Sequence, residues 1–135
     1  MKRIFIISML ILTISPVWAK RLHSESEYQA HWCNAKNGIM EYRLSDKARV
    51  DCLLPNLAVE FDFANKWAEC IGQAIYYGKM TNRQAACVLI MENGEKDLKY
   101  LKRLRRAAYR KGVNLRTFTI KPEHLCVPVN NKNSL

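Results

Sequence analysis

The stretch VDCLLPNLAVEFDFANKWAECIGQAIYYG, residues 50–78, decides the predicted fold because it joins two strand patterns to a helix pattern. The runs VDCLL and LAVEFDF alternate in polarity, and the dipeptide PN supplies the turn between them. Since successive side chains of a strand point to opposite faces, Asp51, Glu60 and Asp62 are expected on one face of a sheet. The opposite, core-facing side is expected to carry Val50, Val59, Phe61 and Phe63.

These carboxylates have no obvious structural purpose. Acidic groups on one face repel one another, which raises their pKa values and costs stability unless a cation neutralises them. Clusters of oxygen ligands favour Mg²⁺ or Mn²⁺. We therefore take Asp51, Glu60 and Asp62 as candidate metal ligands.

The helix predicted over residues 65–79 has two different faces. At about 100° per residue, Lys66, Gln73 and Tyr77 lie within roughly 20° of one line, and Cys70 lies close to it. A line of Lys, Gln and Tyr is not typical of a core face, so these residues are candidates for a functional site. The core-facing side is predicted to comprise Trp67, Ile71, Ala74, Ile75 and Gly78.

The remaining patterns complete an α-β-β-β-α-β-α-β order. Ser24 and Glu27 form a capping-box pattern that begins a helix, and Gly38 ends it. Strands are predicted over residues 39–44, 48–54, 57–63, 85–92 and 114–120, with a basic helix within 95–112. A meander followed by a right-handed β-α-β crossover predicts an α/β fold with a mixed central sheet flanked by helices.

This combination of order and residues resembles the core of the PD-(D/E)xK, or restriction-endonuclease-like, nuclease superfamily over most of residues 24–92. Asp51 matches the aspartate of the second strand. Glu60-Phe61-Asp62 matches the (D/E)-x-K of the third strand, with Asp62 at the lysine position. The run from Gln73 to Tyr77 is similar to the Gln-x-x-x-Tyr motif of the RecB-like branch. The segments RVDCL, AVEFDF and KWAE also resemble small exported proteins that have no assigned function.

The resemblance implies a nuclease that hydrolyses nucleic-acid phosphodiesters with bound Mg²⁺ or Mn²⁺. Asp51 and Glu60 would bind the metal together with the carbonyl of Phe61, and Gln73 and Tyr77 would orient the substrate or the site. Glu27 on the first helix is a further candidate carboxylate.

The aspartate at position 62 leaves two interpretations open. Lys66 takes over the role of the missing lysine, with Asp62 as an additional ligand. Alternatively, Lys66 only solvates the start of its helix. In that case catalysis is lost, and the fold serves as a module that binds nucleic acid or assembles with an envelope protein complex.

The basic helix carries a stripe of Lys99, Arg103, Arg106 and Arg110, with spacings that place them on one face. Leu98, Leu101, Leu104 and Ala108 are predicted to pack inward. The stripe suits phosphate-backbone contacts without base reading, but a solvated amphipathic helix gives the same pattern. A third interpretation is that residues 96–111 bind acidic lipid or polymer. The formal net charge of +10 fits a polyanionic partner and equally fits simple solubility.

The N-terminus has the pattern of a signal peptide over residues 1–19, with cleavage after Ala19; an uncleaved anchor is the alternative. Cleavage predicts an exported, periplasmic or secreted protein without a transmembrane span. It leaves one nuclease-like domain over residues 20–127 and a loose polar tail over 128–135.

The chain has five cysteines, so at least one is unpaired within the chain. A Cys33–Cys52 disulfide would join the first helix to the second strand. Cys87, in an apolar strand, is expected to be a core thiol. Cys126 is either free or bridged. Without Cys-x-x-Cys spacing, a zinc site is not expected.

Overall fold

A computed structural model describes residues 20–126. The predicted signal peptide over residues 1–19 and the predicted polar tail over 128–135 lie outside the described residues. The helices are α1 (Glu25–Asn34), α2 (Trp67–Thr81), α3 (Leu98–Ala108) and α4 (Pro122–Leu125). The strands are β1 (Ile39–Arg43), β2 (Arg49–Leu53), β3 (Leu57–Phe63), β4 (Gln84–Ile90) and β5 (Leu115–Ile120). Short 3-10 turns at Ala64–Lys66 and Gly94–Asp97 precede α2 and α3.

The strands form one mixed five-stranded sheet in the order β1-β2-β3-β4-β5. β1, β2 and β3 pair antiparallel, whereas β3, β4 and β5 pair parallel. The predicted mixed sheet with flanking helices is therefore confirmed. The short helix α4 was not predicted, because four residues are too few to show helical periodicity.

The helices cover both faces of the sheet. Tyr28 and Cys33 of α1 pack with Val59 and Phe61 on one face. Side chains from α2 and α3, among them Ala74 and Leu104, pack with the opposite face of β4. The result is a three-layer arrangement in which both faces of β3 and β4 are buried, as the near-continuous apolar runs of these strands require.

The predicted capping box at the start of α1 is present. The backbone N–H of Glu27 donates to Ser24 Oγ at 3.3 Å, and the N–H of Ser24 donates to Glu27 Oε2 at 2.6 Å. Because these bonds satisfy N–H groups that the helix itself leaves open, they fix where α1 begins.

Disulfides tie each helical layer to the sheet. Cys33 on α1 is bonded to Cys52 on β2, with Cα atoms 5.8 Å apart, as predicted. Cys87 is not a free core thiol: it is bonded to Cys70 on α2, with Cα atoms 5.9 Å apart. The prediction was wrong because it placed Cys70 on the polar line of α2, although the side chain points at β4. Cys126 is free and exposed.

The rotation of α2 about its axis that brings Cys70 to Cys87 also changes which residues form the core face of this helix. Cys70, Ala74, Tyr77 and Gly78 are buried, whereas Ile75, predicted to face the core, is exposed. Gly78 makes the closest approach to the sheet, since a Cβ there would lie 3.0 Å from the backbone nitrogen of Ala85.

Two further predictions need correction. Val50 packs with Leu53 and Tyr77, on the α2 side, and not with the cluster of Val59, Phe61 and Phe63. Leu98, at the first position of α3, is 43% exposed because the inward-facing stripe begins one turn later, at Leu101. Among residues 20–126, no helix is long and apolar enough to cross a membrane.

Gly38 provides a test of the α1–β2 junction. A Cβ at this position would lie 2.5 Å from the sulfur atoms of both Cys33 and Cys52. We expect Gly38→Ala to lower the free energy of unfolding by about 1–3 kcal/mol through overpacking, measured as a lower urea midpoint with an unchanged slope.

The matched control is Gly72→Ala in α2, where a Cβ would meet nothing within 4 Å. Alanine is the better helix former, so this variant should be neutral or more stable by about 0.5–1 kcal/mol. Equal losses in the two variants would contradict the close approach at Gly38.

Candidate functional site

The candidate site begins where β2 and β3 diverge. Register pairs join Cys52 to Val59 and Leu53 to Ala58. Next to these pairs, the backbone N–H of Phe61 donates to the Asp51 Oδ2 atom at 2.8 Å. The Asp51 carboxylate thus accepts a hydrogen bond from β3 at a position where a backbone carbonyl group would otherwise accept it. This bond orients Asp51 toward β3 and places it beside Glu60.

Glu60 is a buried acid without enough partners. Glu60 is 5% exposed, and its Oε2 atom has no hydrogen-bond partner. Burial raises the pKa of Glu60 well above its usual range, and the negative charge of Asp51 raises it further. Burial also raises the pKa of Asp51, although the hydrogen bond from Phe61 opposes that shift. Without a cation, this pair therefore retains a proton at neutral pH.

Asp62 lies on the same face of β3 and pairs with a cation. The Nζ atom of Lys66 is 3.8 Å from Asp62 Oδ1 and 3.3 Å from Glu69 Oε2. Burial raises the pKa of Asp62 to about 7, and the charge of Lys66 limits this rise. The charge of Asp62 in turn raises the pKa of Lys66. Lys66 therefore does reach the carboxylate side of the sheet, although its own backbone belongs to the turn after β3.

A fourth carboxylate comes from α1, and it is Glu25, not Glu27. Burial raises the pKa of Glu25, while the charges of Lys66 and Arg21 oppose the shift. The charge of Glu25 also contributes to the raised pKa values of Asp51, Glu60 and Asp62. Glu27 is exposed and occupied by the capping box.

A signal for Glu25 was present in the sequence. Glu25, Gln29 and Cys33 follow one another at intervals of four, so they share one side of α1. Because Cys33 was expected to bond to β2, that side had to face the sheet. In the structure Gln29 is buried, and its Nε2 donates to Glu25 Oε1 at 3.2 Å.

Tyr77 and Gln73 differ in their placement. Tyr77 is 8% exposed and packs against Val50. Burial raises its pKa to about 12, and the negative charges of Glu60 and Asp51 add to the effect. Gln73 is exposed on the solvent side of α2. The structure brings Lys66 and Tyr77 near the carboxylates and leaves Gln73 apart from them.

The acids do not form a ready-made metal cage. Within residues 20–126, no group of three or more His, Cys, Asp or Glu side chains is arranged to hold a metal ion. Asp62 is directed toward Lys66, and the acids that act most strongly on one another are Asp51 and Glu60. This pair has the feature that suits a divalent cation: a buried carboxylate oxygen that still lacks a partner.

The predicted basic stripe is exposed along its length. Lys99, Arg103 and Arg106 lie on α3, whereas Arg110 follows its end, because α3 ends at Ala108 and not near Gly112. The start of α3 contacts the Ala64–Lys66 turn. The basic surface therefore begins beside the turn that carries Lys66.

The chain matches no family model, no curated protein and no solved structure in the corresponding comparisons.

The raised pKa of Asp62 predicts how stability depends on pH. In the unfolded chain its pKa is near 3.8, and in the folded protein it is about 7. The folded state binds more protons between these values, so its stability falls as pH rises from about 4 to 7. In EDTA, we expect unfolding at pH 8 to require on the order of 2 kcal/mol less than at pH 5 because of this group.

Urea titrations of wild type and Asp62→Asn at both pH values measure this contribution. The variant should lose the part that comes from Asp62, on the order of 2 kcal/mol, and keep the part that comes from the raised pKa values of Asp51 and Glu60. Asp46→Asn is the control, because Asp46 is exposed and its pKa is lowered, chiefly by the hydrogen bond from Tyr76. A pH dependence that is the same in wild type and Asp62→Asn would contradict the assignment.

Proposed function

We propose that this protein is an exported, metal-dependent nuclease of the PD-(D/E)xK, restriction-endonuclease-like type, which hydrolyses nucleic-acid phosphodiesters. The observation that carries the proposal is the pair of half-buried Asp51 and buried Glu60, in which Glu60 Oε2 lacks a partner. Two adjacent acids shielded from water destabilise a fold, so their presence favours a functional explanation.

Asp51 and Glu60 are the residues that would hold Mg²⁺ or Mn²⁺. A bound divalent ion would lower the pKa of a water molecule and stabilise negative charge on a phosphate. Asp51 already has one oxygen fixed by the Phe61 N–H, which sets its orientation. Glu60 offers the unpartnered oxygen. Asp62 serves mainly to hold Lys66.

Lys66 supplies the positive charge that the motif lacks at position 62. Its ammonium group lies within ion-pair distance of Asp62, and this contact raises its pKa, so the group is charged at neutral pH. The Lys66 side chain is about half exposed (43%), which leaves the ammonium accessible to a phosphate or to water. The role of a strand lysine is thus assigned to a residue four positions later.

Tyr77 and the basic helix would bind the substrate. Because the pKa of Tyr77 is raised to about 12, its hydroxyl keeps its proton and can donate a hydrogen bond to a phosphate oxygen. Gln73 faces solvent, so we assign it to substrate contact and not to construction of the site. Lys99, Arg103, Arg106 and Arg110 would contact phosphates without reading sequence.

One observation favours a second candidate function. The described residues contain no set of three ligating side chains poised for a metal ion. A nuclease fold without catalysis, acting as a module that binds nucleic acid or assembles with an envelope protein complex, would show the same feature.

Plasmid degradation tests the proposed function. Wild-type protein with intact disulfides should degrade plasmid DNA or RNA in Mg²⁺ or Mn²⁺ and not in EDTA. Asp51→Asn retains an oxygen that can accept from the Phe61 N–H, so the fold should persist while activity falls about 100-fold or more. Lys66→Ala should lose a similar factor because the positive charge disappears.

The control is Lys79→Ala, which removes an exposed lysine from the last turn of α2. This variant should degrade plasmid as the wild type does. Undiminished cleavage by Asp51→Asn would exclude the site. Salt-sensitive DNA binding without cleavage would establish the binding module instead.

Metal binding can be measured without catalysis. At pH 8, Mn²⁺ well above its dissociation constant should raise the melting temperature of the wild type by about 5 °C or more. Glu60→Gln should remove that increase, since an amide cannot replace the second carboxylate charge. Asp46→Asn, which changes an exposed aspartate, should keep it. An equal increase in all three proteins would show that the ion binds elsewhere.

A further inference from the structure

A cavity of about 370 Å³ opens where the parallel strands β3 and β4 end. Its walls come from three separate segments: the chain before α1, the Ala64–Lys66 turn, and the start of α3. The side chains that matter for its chemistry are Lys20, Arg21, Asn65, Lys96, Lys99 and Tyr100. The cavity is separate from the Asp51–Glu60 pair but shares the turn that carries Lys66.

The cations of this cavity have no acidic partners. Within the part of the chain that the structure describes, no ion pair forms between a carboxylate and Lys20, Arg21, Lys96 or Lys99. The positive charges therefore remain available to a ligand.

The acids in the cavity wall are already engaged. Glu92 accepts from the backbone N–H of Leu22 at 3.1 Å, from the N–H of His23 at 3.0 Å and from the Tyr28 hydroxyl at 2.9 Å. Asp97 is buried and accepts from the N–H of Asn93 at 3.0 Å. These hydrogen bonds stabilise the negative charge of both carboxylates.

The Glu92 bonds also fix the segment that precedes α1. They hold Leu22 and His23 at the end of β4, which brings the guanidinium carbon of Arg21 to 3.5 Å from the centre of the Phe63 ring. Stacking of this kind leaves the N–H groups of the guanidinium free at its edge. Arg21 is thus a positioned hydrogen-bond donor for an anion, although it lies outside every helix and strand.

We propose that this cavity binds a phosphate monoester: the phosphorylated end of a nucleic-acid strand or the phosphate of a mononucleotide. Four cations against two engaged carboxylates leave a formal excess of two positive charges, which matches a phosphate monoester at neutral pH. Arginine and lysine together are the usual protein donors to phosphate. A volume of this size accommodates a small ligand.

Two further features favour a terminal phosphate over an internal phosphodiester. The cavity reaches Ile90 and Asp97, which are buried, so the chain of a nucleic acid cannot continue through it. Tyr100, with Lys99 Nζ 4.8 Å from its ring centre, offers an aromatic surface for the adjoining base or sugar.

The position of the cavity also suggests how it would act on a substrate, and this part rests on the proposed function. Asn65 lines the cavity, and the neighbouring residue Lys66 reaches Asp62. A strand whose end is bound here would pass directly beside the carboxylates, so cleavage would occur near strand ends.

Fluorescence anisotropy in EDTA tests the binding step separately from cleavage. Short single-stranded oligonucleotides carry a 5′-phosphate, a 3′-phosphate or hydroxyls at both ends, and a mononucleotide and inorganic phosphate serve as competitors. Wild type should bind one phosphorylated end about tenfold more tightly than the hydroxyl-ended strand. The double variant Arg21→Gln/Lys99→Gln should lose this preference.

The matched control is Lys102→Gln/Arg105→Gln, which removes the same two charge types from exposed positions of α3 outside the cavity. It should weaken binding of all strands alike and keep the preference for the phosphorylated end. If a mononucleotide competes as strongly as the phosphorylated strand, the ligand is the monoester itself. If the strand binds more tightly than the mononucleotide, the ligand is a strand end.

Equal affinity for phosphorylated and hydroxyl ends, or equal loss of preference in both double variants, would overturn the proposal. A preference in EDTA without any metal-dependent cleavage would support phosphate binding in the cavity and contradict the proposed nuclease function. Cleavage without a preference for phosphorylated ends would support the nuclease function and contradict phosphate binding in the cavity.

Discussion

The hydrogen bond from the Phe61 N–H to Asp51 is the contact on which the candidate site depends. It uses a carboxylate to join β2 and β3 where a backbone partner would otherwise stand, and so turns Asp51 toward Glu60. The electrostatic cost is visible in both acids, because burial raises both pKa values and the charge of Asp51 raises that of Glu60 further. The charge of Glu25 acts on both acids, their charges act on Tyr77, and Lys66 pairs with the neighbouring Asp62.

A fold that buries several acids needs compensating stabilisation, and the disulfides provide part of it. Cys33–Cys52 joins α1 to β2, and Cys70–Cys87 joins α2 to β4. Each closes a short loop, and such bonds typically contribute about 2–4 kcal/mol. They connect the two helices that carry Glu25 and Tyr77 to the strands that lie beneath them. The same bonds therefore stabilise the fold and position the site.

Charge is separated along the molecule. The acids lie buried around the β2–β3 junction, whereas the cations of α3 and of the chain before α1 are exposed. Lys66 lies at the boundary, since its turn contacts both the carboxylate face and the start of α3. A polyanion attracted by the basic surface would lie beside the turn that carries Lys66.

The sequence by itself determined the order of helices and strands and the packing of helices against the sheet, because alternating and helical periodicities reflect burial directly. It also determined that Glu60 and Asp62 share a face of β3, and it indicated the Cys33–Cys52 disulfide that the structure contains. Tertiary structure decided the rest. The rotation of α2 sends Cys70 to Cys87 and exposes Ile75, and local periodicity does not specify how a helix is rotated against a sheet. The approach of Glu25 to the other acids depends on the packing of α1 against the sheet, since contacts between distant segments depend on packing that local sequence patterns do not encode.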